Sequence, residues 1–546
     1  MTDPRFAPPD PPDPSTGAGW VAAGHPATAD AAAAMLHAGG NAFDAVLAAG
    51  FAATVAEPGF TSLAGGGYLL ARVADGTDGP RDRLFDFFVD APGRGLTNPP
   101  TPVFDEVVVR FPAALQTFHC GPGSVAVPGV LAGYLHVHRA LGRLPLADVV
   151  APAVHLATHG VEVSPSQAHV LELLEPILTR TPASRGTYLP HGRLLTAGDR
   201  LHNPDLGAYL LSVAADPATS FYGGEGAARL ATQLHSGGGL VTESDLHAYR
   251  VVERVPLRVT YRGRTVVTNP PPTFGGCLLA LALHRLEQAG PPEPWGSPRW
   301  AEALRAVMAG VDADRVAAHP EVVAALLGRI GPHTHPPEPT DPGGSGGAGR
   351  RGGSDGPDGP YVGEPPVATR GTTHVTVADA EGNVAAMTTS NGECSGDVID
   401  GTGILCNNML GEDDLHPDGF HAAPPGVRVA SMMSPTFVLG PDGTLELALG
   451  SGGSKRIRSA VLQVLTAVVD HGVDLITAVE APRLHWDTDH TEVEPGFDAD
   501  VLAALGAAGP VNEWPGPSVY FGGVHAVRPG VDAAGDPRRG GTTRTT

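Results

Sequence analysis

The stretch Gly371-Thr372-Thr373-His374-Val375-Thr376-Val377 decides the fold, because it sets a hydroxyl residue at the mouth of a strand shortly after a segment poor in apolar side chains. Residues 337–360, PEPTDPGGSGGAGRRGGSDGPDGP, cannot offset the entropy of ordering and read as a flexible tether. From Thr372 to Asp379 polar and apolar residues alternate, Ala380-Glu381-Gly382-Asn383 supplies a turn, and residues 384–389 form a second extended run. Thr372 thus opens a hairpin. A break between Gly371 and Thr372 gives that threonine both a hydroxyl nucleophile and an α-amine of unperturbed pKa about 7.7 to 8.0. One residue then holds nucleophile and base.

Downstream, residues 435–439, the turn Gly440-Pro441-Asp442-Gly443 and residues 444–449 predict another hairpin, after which Ser454 is placed to cap a helix running to about Val469. Gly452 and Gly453 sit at that helix mouth. Backbone N–H groups and the helix dipole there favour the negative charge that a tetrahedral acyl-transfer intermediate develops on oxygen. The same glycines also suit close backbone packing, and the order Gly453-Ser454-Lys455 lacks the Gly-Lys-Ser/Thr of a phosphate-binding loop.

Upstream of the tether the pattern is helix-rich with strands between. Pro26 suits a first helical position, the alanine run at 31–34 propagates a helix and Gly39-Gly40 ends it; Asn41 then caps a second, with Asp44 in its first turn. Further helices are expected at 128–141, 146–159, 165–179, 224–236 and 275–288, and strands at 82–89, 105–111, 256–261 and 264–268. No internal repeat of 20 to 50 residues stands out.

Composition fits a large enzyme of 546 residues. The net charge of −23, from 35 basic and 58 acidic residues, argues against nucleic acid as a partner. Four cysteines, Cys120, Cys277, Cys394 and Cys406, show no C-x-x-C spacing, so reduced thiols are expected rather than a disulfide scaffold or structural zinc. Residues 1–18 read as a disordered leader without the basic cap and apolar core of a signal peptide. No apolar run approaches the roughly 20 residues of a membrane span. The expectation is a cytoplasmic protein with no membrane partner. Of the 23 histidines, His333 and His335 lie beside the tether, while His25, His374 and His525 suit packing or supporting hydrogen bonds; neither metal nor cofactor is expected.

In order along the chain stand His25-Pro26, Gly39-Gly40-Asn41-Ala42-Phe43-Asp44-Ala45, Glu57-Pro58, Gly65-Gly66-Gly67, Ser124-Val125-Ala126-Val127-Pro128-Gly129, Tyr249-Arg250 and Pro270-Pro271-Pro272 leading to Gly275-Gly276. After Thr372-Thr373-His374 come Gly401-Thr402-Gly403-Ile404-Leu405, Asn407-Asn408, Ser434-Pro435-Thr436 and Gly450-Ser451-Gly452-Gly453-Ser454. This ordered set resembles the γ-glutamyltransferase family of N-terminal-nucleophile hydrolases. The resemblance implies an α/β fold, a four-layer αββα sandwich. It also implies a precursor divided into a large chain, 19–371, and a small chain, 372–546, that stay together as a heterodimer, with a disordered tail expected at 532–546. Thr372 is then the nucleophile, Gly452 and Gly453 form the oxyanion hole, and Ser390, 18 residues after Thr372, orients the nucleophile. A strand-end serine in a local turn is the other reading of Ser390.

The departures from the family pattern concern the substrate. Phe88 stands where relatives have an arginine for the substrate α-carboxylate, with Arg94 the nearby cation, and a bidentate partner is missing. Of a serine pair, Ser431 is kept and Met432 replaces the second; Met409 replaces a glutamine, and Glu412 or Asp413 supplies the acid that holds an α-amine. Asn391 takes the place of a substrate-binding asparagine, or else is a turn residue before Gly392. Cys394, in Gly392-Glu393-Cys394-Ser395-Gly396, has the outline of a nucleophile elbow but leads into loop rather than helix. The implied function is transfer of a γ-glutamyl or related acyl group from an amide such as glutathione to water or an amine. The alternatives are an amide acylase with a less charged acyl donor and an unprocessed ligand-binding paralogue.

Overall fold

The computed structural model describes residues 19–74, 79–111, 114–317, 371–416 and 418–546; the expected leader and the tether at 337–360 lie outside them. Two antiparallel sheets form the centre. The first runs in the order Thr542–Thr545, Trp20–Ala23, Thr373–Ala378, Val384–Ser390, Gly66–Val73, Arg81–Phe87 and Val252–Arg254. The second runs Asp532–Gly535, Gly523–Arg528, Leu445–Gly452, Thr436–Leu439, Arg264–Thr268 and Leu257–Tyr261. The expected hairpin after Gly371 is present, with Thr373 opposite Thr389 and Ala378 opposite Val384. It lies at the middle of the first sheet and packs on the strands Leu445–Gly452 and Gly523–Arg528 of the second.

Helices close both outer faces, giving the four-layer αββα sandwich. Pro26–His37 and Ala42–Ala56 cover the first sheet, and Phe274–Gln288 and Arg456–His471 the second. All residues of Ala42–Ala56 are buried, as suits a helix apolar on every side that lies between a sheet and the outer helices Val130–Leu141 and Leu146–His159. The capping residues act as expected. Asn41 accepts the N–H groups of Phe43 and Asp44 while Asp44 accepts that of Asn41.

Alternation along Thr373–Ala378 sorts its side chains. Val375 and Val377 join the apolar cluster beneath the helices. His374 and Thr376 turn to the second sheet, where His374 bonds Thr388 and Thr376, and Thr376 donates to the carbonyl of His525. Burial pushes the His374 and His525 imidazoles down, His525 to about 4, so both are neutral packing elements.

Three expectations need correction. The helix foreseen at 165–179 is two, Pro165–Leu173 and Glu175–Leu178, because Pro176 has no N–H to continue the first. Ser454 does not cap the helix after the second hairpin: it has φ +52°, its hydroxyl donates to Asp414, and the helix begins at Arg456. The tail at 532–546 is ordered. Asp532–Gly535 and Thr542–Thr545 each add an edge strand, one to each sheet, and Gly19 and Thr546 exchange backbone hydrogen bonds.

Candidate active site

Thr372 is buried one residue before the paired register of its strand. The residue ahead of it must be glycine, since a Cβ on Gly371 would lie 2.2 Å from the carbonyl oxygens of both Gly59 and Gly392. Both polar groups of Gly371 are gripped. Its N–H donates to Glu393 Oε1 at 3.2 Å, and its carbonyl accepts from the hydroxyl of Ser390, which itself takes the N–H of Gly392 at 3.0 Å. Ser390 therefore engages the carbonyl that precedes Thr372, and a hydroxyl donor on that oxygen draws electron density from the peptide bond between 371 and 372.

The other side of Thr372 is held by Arg539, whose Nη1 donates to the Thr372 carbonyl at 2.8 Å. The guanidinium also donates to the carbonyl of Val519 and lies 4.7 Å from the centre of the Phe60 ring. Burial lowers its pKa to about 10, with the neighbouring Arg456 acting in the same sense, so it stays cationic at neutral pH. Next to Thr372, the hydroxyl of Thr373 donates to Glu57, and Thr28 donates to the other oxygen of that carboxylate, at 2.7 and 2.6 Å. Burial pushes the Glu57 carboxyl up, against the pull of the two hydroxyls and of Arg539.

Gly452 and Gly453 are brought to the same place. A Cβ on Gly452 would sit 2.1 Å from the Thr372 carbonyl oxygen, and Gly453 has φ +119°, with its own would-be Cβ 2.8 Å from Gly522. Close packing and nearness to Thr372 thus hold together. Asn391 is buried in the turn after Ser390, its N–H donating to the carbonyl of Phe60 and its amide to that of Cys406. Glu412 packs where a side chain on Gly392 would go, with Oε1 2.4 Å from that position. Asp413 is exposed and Asp414 is the buried acid that reaches Ser454, so of the two acids expected to serve, only Glu412 lies beside the Ser390 turn.

Ser431 is committed to its own backbone: its hydroxyl accepts the N–H of Met433, and its carbonyl takes those of Phe274 and Gly275 at the start of a helix. Phe88 is buried against Tyr68, the rings stacked at 5.7 Å, and Met409 and Met432 are buried in the same cluster. Neither candidate cation supplies what Phe88 lacks. Arg94 is exposed, packed on Gly426. Arg428 lies nearer, but it pairs with Asp90 at 2.9 Å and Asp86 at 3.3 Å and donates to the carbonyls of Phe88 and Arg250. Cys394 has φ +65° and a buried thiol pushed well above its usual range by burial, which removes thiolate character.

Sequence reasoning missed Arg539, Glu57 as a partner of Thr373, and Glu393. The signal for Arg539 was the run Gly535-Asp536-Pro537-Arg538-Arg539-Gly540, where charged residues alternate with turn formers inside a segment rich in glycine.

A family model described as gamma-glutamyltranspeptidase matches residues 28–545. The acylase ACY 1 proenzyme of Pseudomonas sp. (strain V22) is 34% identical over 504 residues, covering 91% of this chain and 88% of that protein. The glutathione hydrolase proenzyme of Escherichia coli (strain K12) is 30% identical over 504 residues, covering 87% of this chain and 82% of that one. The fold is similar to that of a cephalosporin acylase from Bacillus halodurans, with a TM-score of 0.75 at 24% identity over 100% of this chain and 99% of that one. With the hairpin that follows Thr372 at the centre of its αββα sandwich, the chain belongs to the gamma-glutamyltranspeptidase family.

Proposed function

We propose that this protein cuts itself before Thr372 and then uses Thr372 to transfer an acyl group from an amide, γ-glutamyl or related, to water or an amine. The observation that carries the reading is the double grip on Gly371, by Glu393 at its N–H and Ser390 at its carbonyl, with Thr372 anchored by Arg539. In the cut, the Thr372 hydroxyl attacks the Gly371 carbonyl carbon, and the C–N bond gives way to an ester. Water then hydrolyses the ester, leaving a carboxylate on Gly371 and a free amine on Thr372. The two chains remain associated, because each sheet is built of strands from both.

In turnover the same hydroxyl attacks the donor amide, the α-amine takes its proton and passes it to the departing amine, and Gly452 and Gly453 face the oxygen that gains charge. Ser390, freed of Gly371, supports the nucleophile. Asn391 and Glu412 are the candidates for substrate contacts, with Ser431 offering only the hydroxyl hydrogen left beside its bond to Met433. A buried carboxylate without a charge partner costs several kcal/mol. Buried Phe88, Met409 and Met432, together with the commitment of Arg428 to Asp86 and Asp90, therefore favour donors whose acyl group lacks a free α-carboxylate. Purified, cleaved protein assayed against a panel of γ-glutamyl, carboxylate-blocked and neutral acyl amides tests this: no turnover of any amide by cleaved protein contradicts the enzyme reading, leaving a protein that only binds.

A further inference from the structure

We infer that Arg539 is a positioning residue for the Thr372 amine: its guanidinium, bonded to the carbonyl of the nucleophilic residue, fixes that residue and keeps the new amine uncharged, ready to accept the hydroxyl proton. The inference rests on the self-cleavage proposed above, which creates the amine.

The slot for Arg539 is built by the chain on several sides. A Cβ on Gly523 would lie 2.4 Å from Arg539 Cδ, and one on Gly452 3.1 Å from Nη1, so side chains at either glycine would displace it. The Phe60 ring lies against the guanidinium. Behind it, the short turn Pro537–Arg539 is pinned by Asp536, whose side chain accepts the N–H groups of Val524 and Arg538 and pairs with Arg483 and Arg538. Burial alone would push the Asp536 carboxyl up, but Arg483 and Arg538 hold it down to about 2.

The charges around residue 372 then decide the state of its amine. Glu57 reaches it through the Thr373 hydroxyl and Glu393 through the N–H of Gly371; opposed to them are Arg539 and, beyond it, Arg456. With Nη1 at 2.8 Å from the Thr372 oxygen, covalent bond lengths place the Thr372 nitrogen within about 7 Å of the cation. A unit charge at that range in an effective dielectric of about 20 moves a pKa by roughly one to two units. Arg539 disfavours the ammonium form and pulls the amine's pKa down, whereas Glu57 and Glu393 pull it up; the cation bonds residue 372 itself while each carboxylate is held through a neighbouring residue, so the downward pull is the larger. The free-base form of the amine is then favoured. It takes the proton as the hydroxyl oxygen bonds to the donor carbonyl carbon and returns it to the leaving nitrogen as the C–N bond breaks.

The test is the pH dependence of kcat/KM for wild type, Arg539→Gln, Arg539→Met and Arg539→Lys, each shown by mass to be cut between 371 and 372. The acidic limb should lie one to two pH units higher in the two neutral variants and within a few tenths of wild type in the lysine variant. Neutral variants that are cut but keep the wild-type limb, however far kcat falls, overturn the inference. Failure of all three variants to be cut while wild type is cut overturns it as well, assigning Arg539 to folding. If only the lysine variant is cut, a wild-type limb supports the inference and a raised limb overturns it. A wild type that is never cut refutes the self-cleavage reading instead.

Discussion

The guanidinium of Arg539 donates a 2.8 Å hydrogen bond to the carbonyl of Thr372, 167 residues earlier in the chain. The carboxy-terminal turn therefore reaches the residue that opens the central hairpin, and the edge strands on either side of that turn join the two sheets above and below it. Removal of the last residues takes away an anchor of Thr372 as well as two edge strands.

Gly453 separates maturation from turnover. Its φ of +119° and the 2.8 Å between its would-be Cβ and Gly522 leave no room for a side chain. Gly453→Ala should lower kcat by roughly 100 to 1,000-fold, the scale of losing one oxyanion donor, with a smaller change in KM. A change in KM alone would return this glycine to a packing role.

Specificity turns on Phe88, buried against Tyr68 with Arg428 engaged elsewhere. Wild type should turn over carboxylate-blocked or neutral acyl amides better than glutathione, and Phe88→Arg should raise the ratio of kcat/KM for charged over blocked donors, at some cost in stability from a cation in a buried site. Efficient turnover of glutathione by wild type, with blocked donors inert, contradicts the preference for uncharged acyl groups.

The pH dependence of stability has a local source at His490. Hydrogen bonds to Glu492, ahead of the opposing effect of burial and of a further bond to Asp489, raise its pKa from 6.5 to about 9. A folded-state pKa above the unfolded one stabilises fully below about pH 6.5, and that contribution is lost as pH rises through about 9. Denaturant midpoints should show His490→Gln less stable than wild type at pH 6, with the gap closing by pH 9.5; a gap independent of pH would assign the residue to packing.

Much of the fold was legible because local signals agreed with the tertiary structure. Asn41 with Asp44, the turn at residues 380–383 and the alternation after Thr372 each specify their element from short range, and each is found where expected. The tail was misread because its strands Asp532–Gly535 and Thr542–Thr545 carry little apolar surface of their own and are ordered by pairing to strands already in place. Arg539 was hidden for the same reason. Ser454 followed the usual capping preference, but a hydrogen bond to Asp414 from a distant loop drew its hydroxyl away from the helix. The family resemblance placed an acid, Glu412 or Asp413, near the site, yet which one turns inward depends on the 3-10 turns there, a register that one sequence does not specify.

The central claim, that Thr372 becomes the amino-terminal nucleophile, is tested most directly by intact-mass and amino-terminal analysis of purified wild type beside Thr372→Ala, with amide turnover measured on both. The account predicts two wild-type fragments divided between Gly371 and Thr372, and a single inactive chain for the variant. A wild-type protein that remains full length yet hydrolyses amides, or a Thr372→Ala protein that is cut and active, contradicts it.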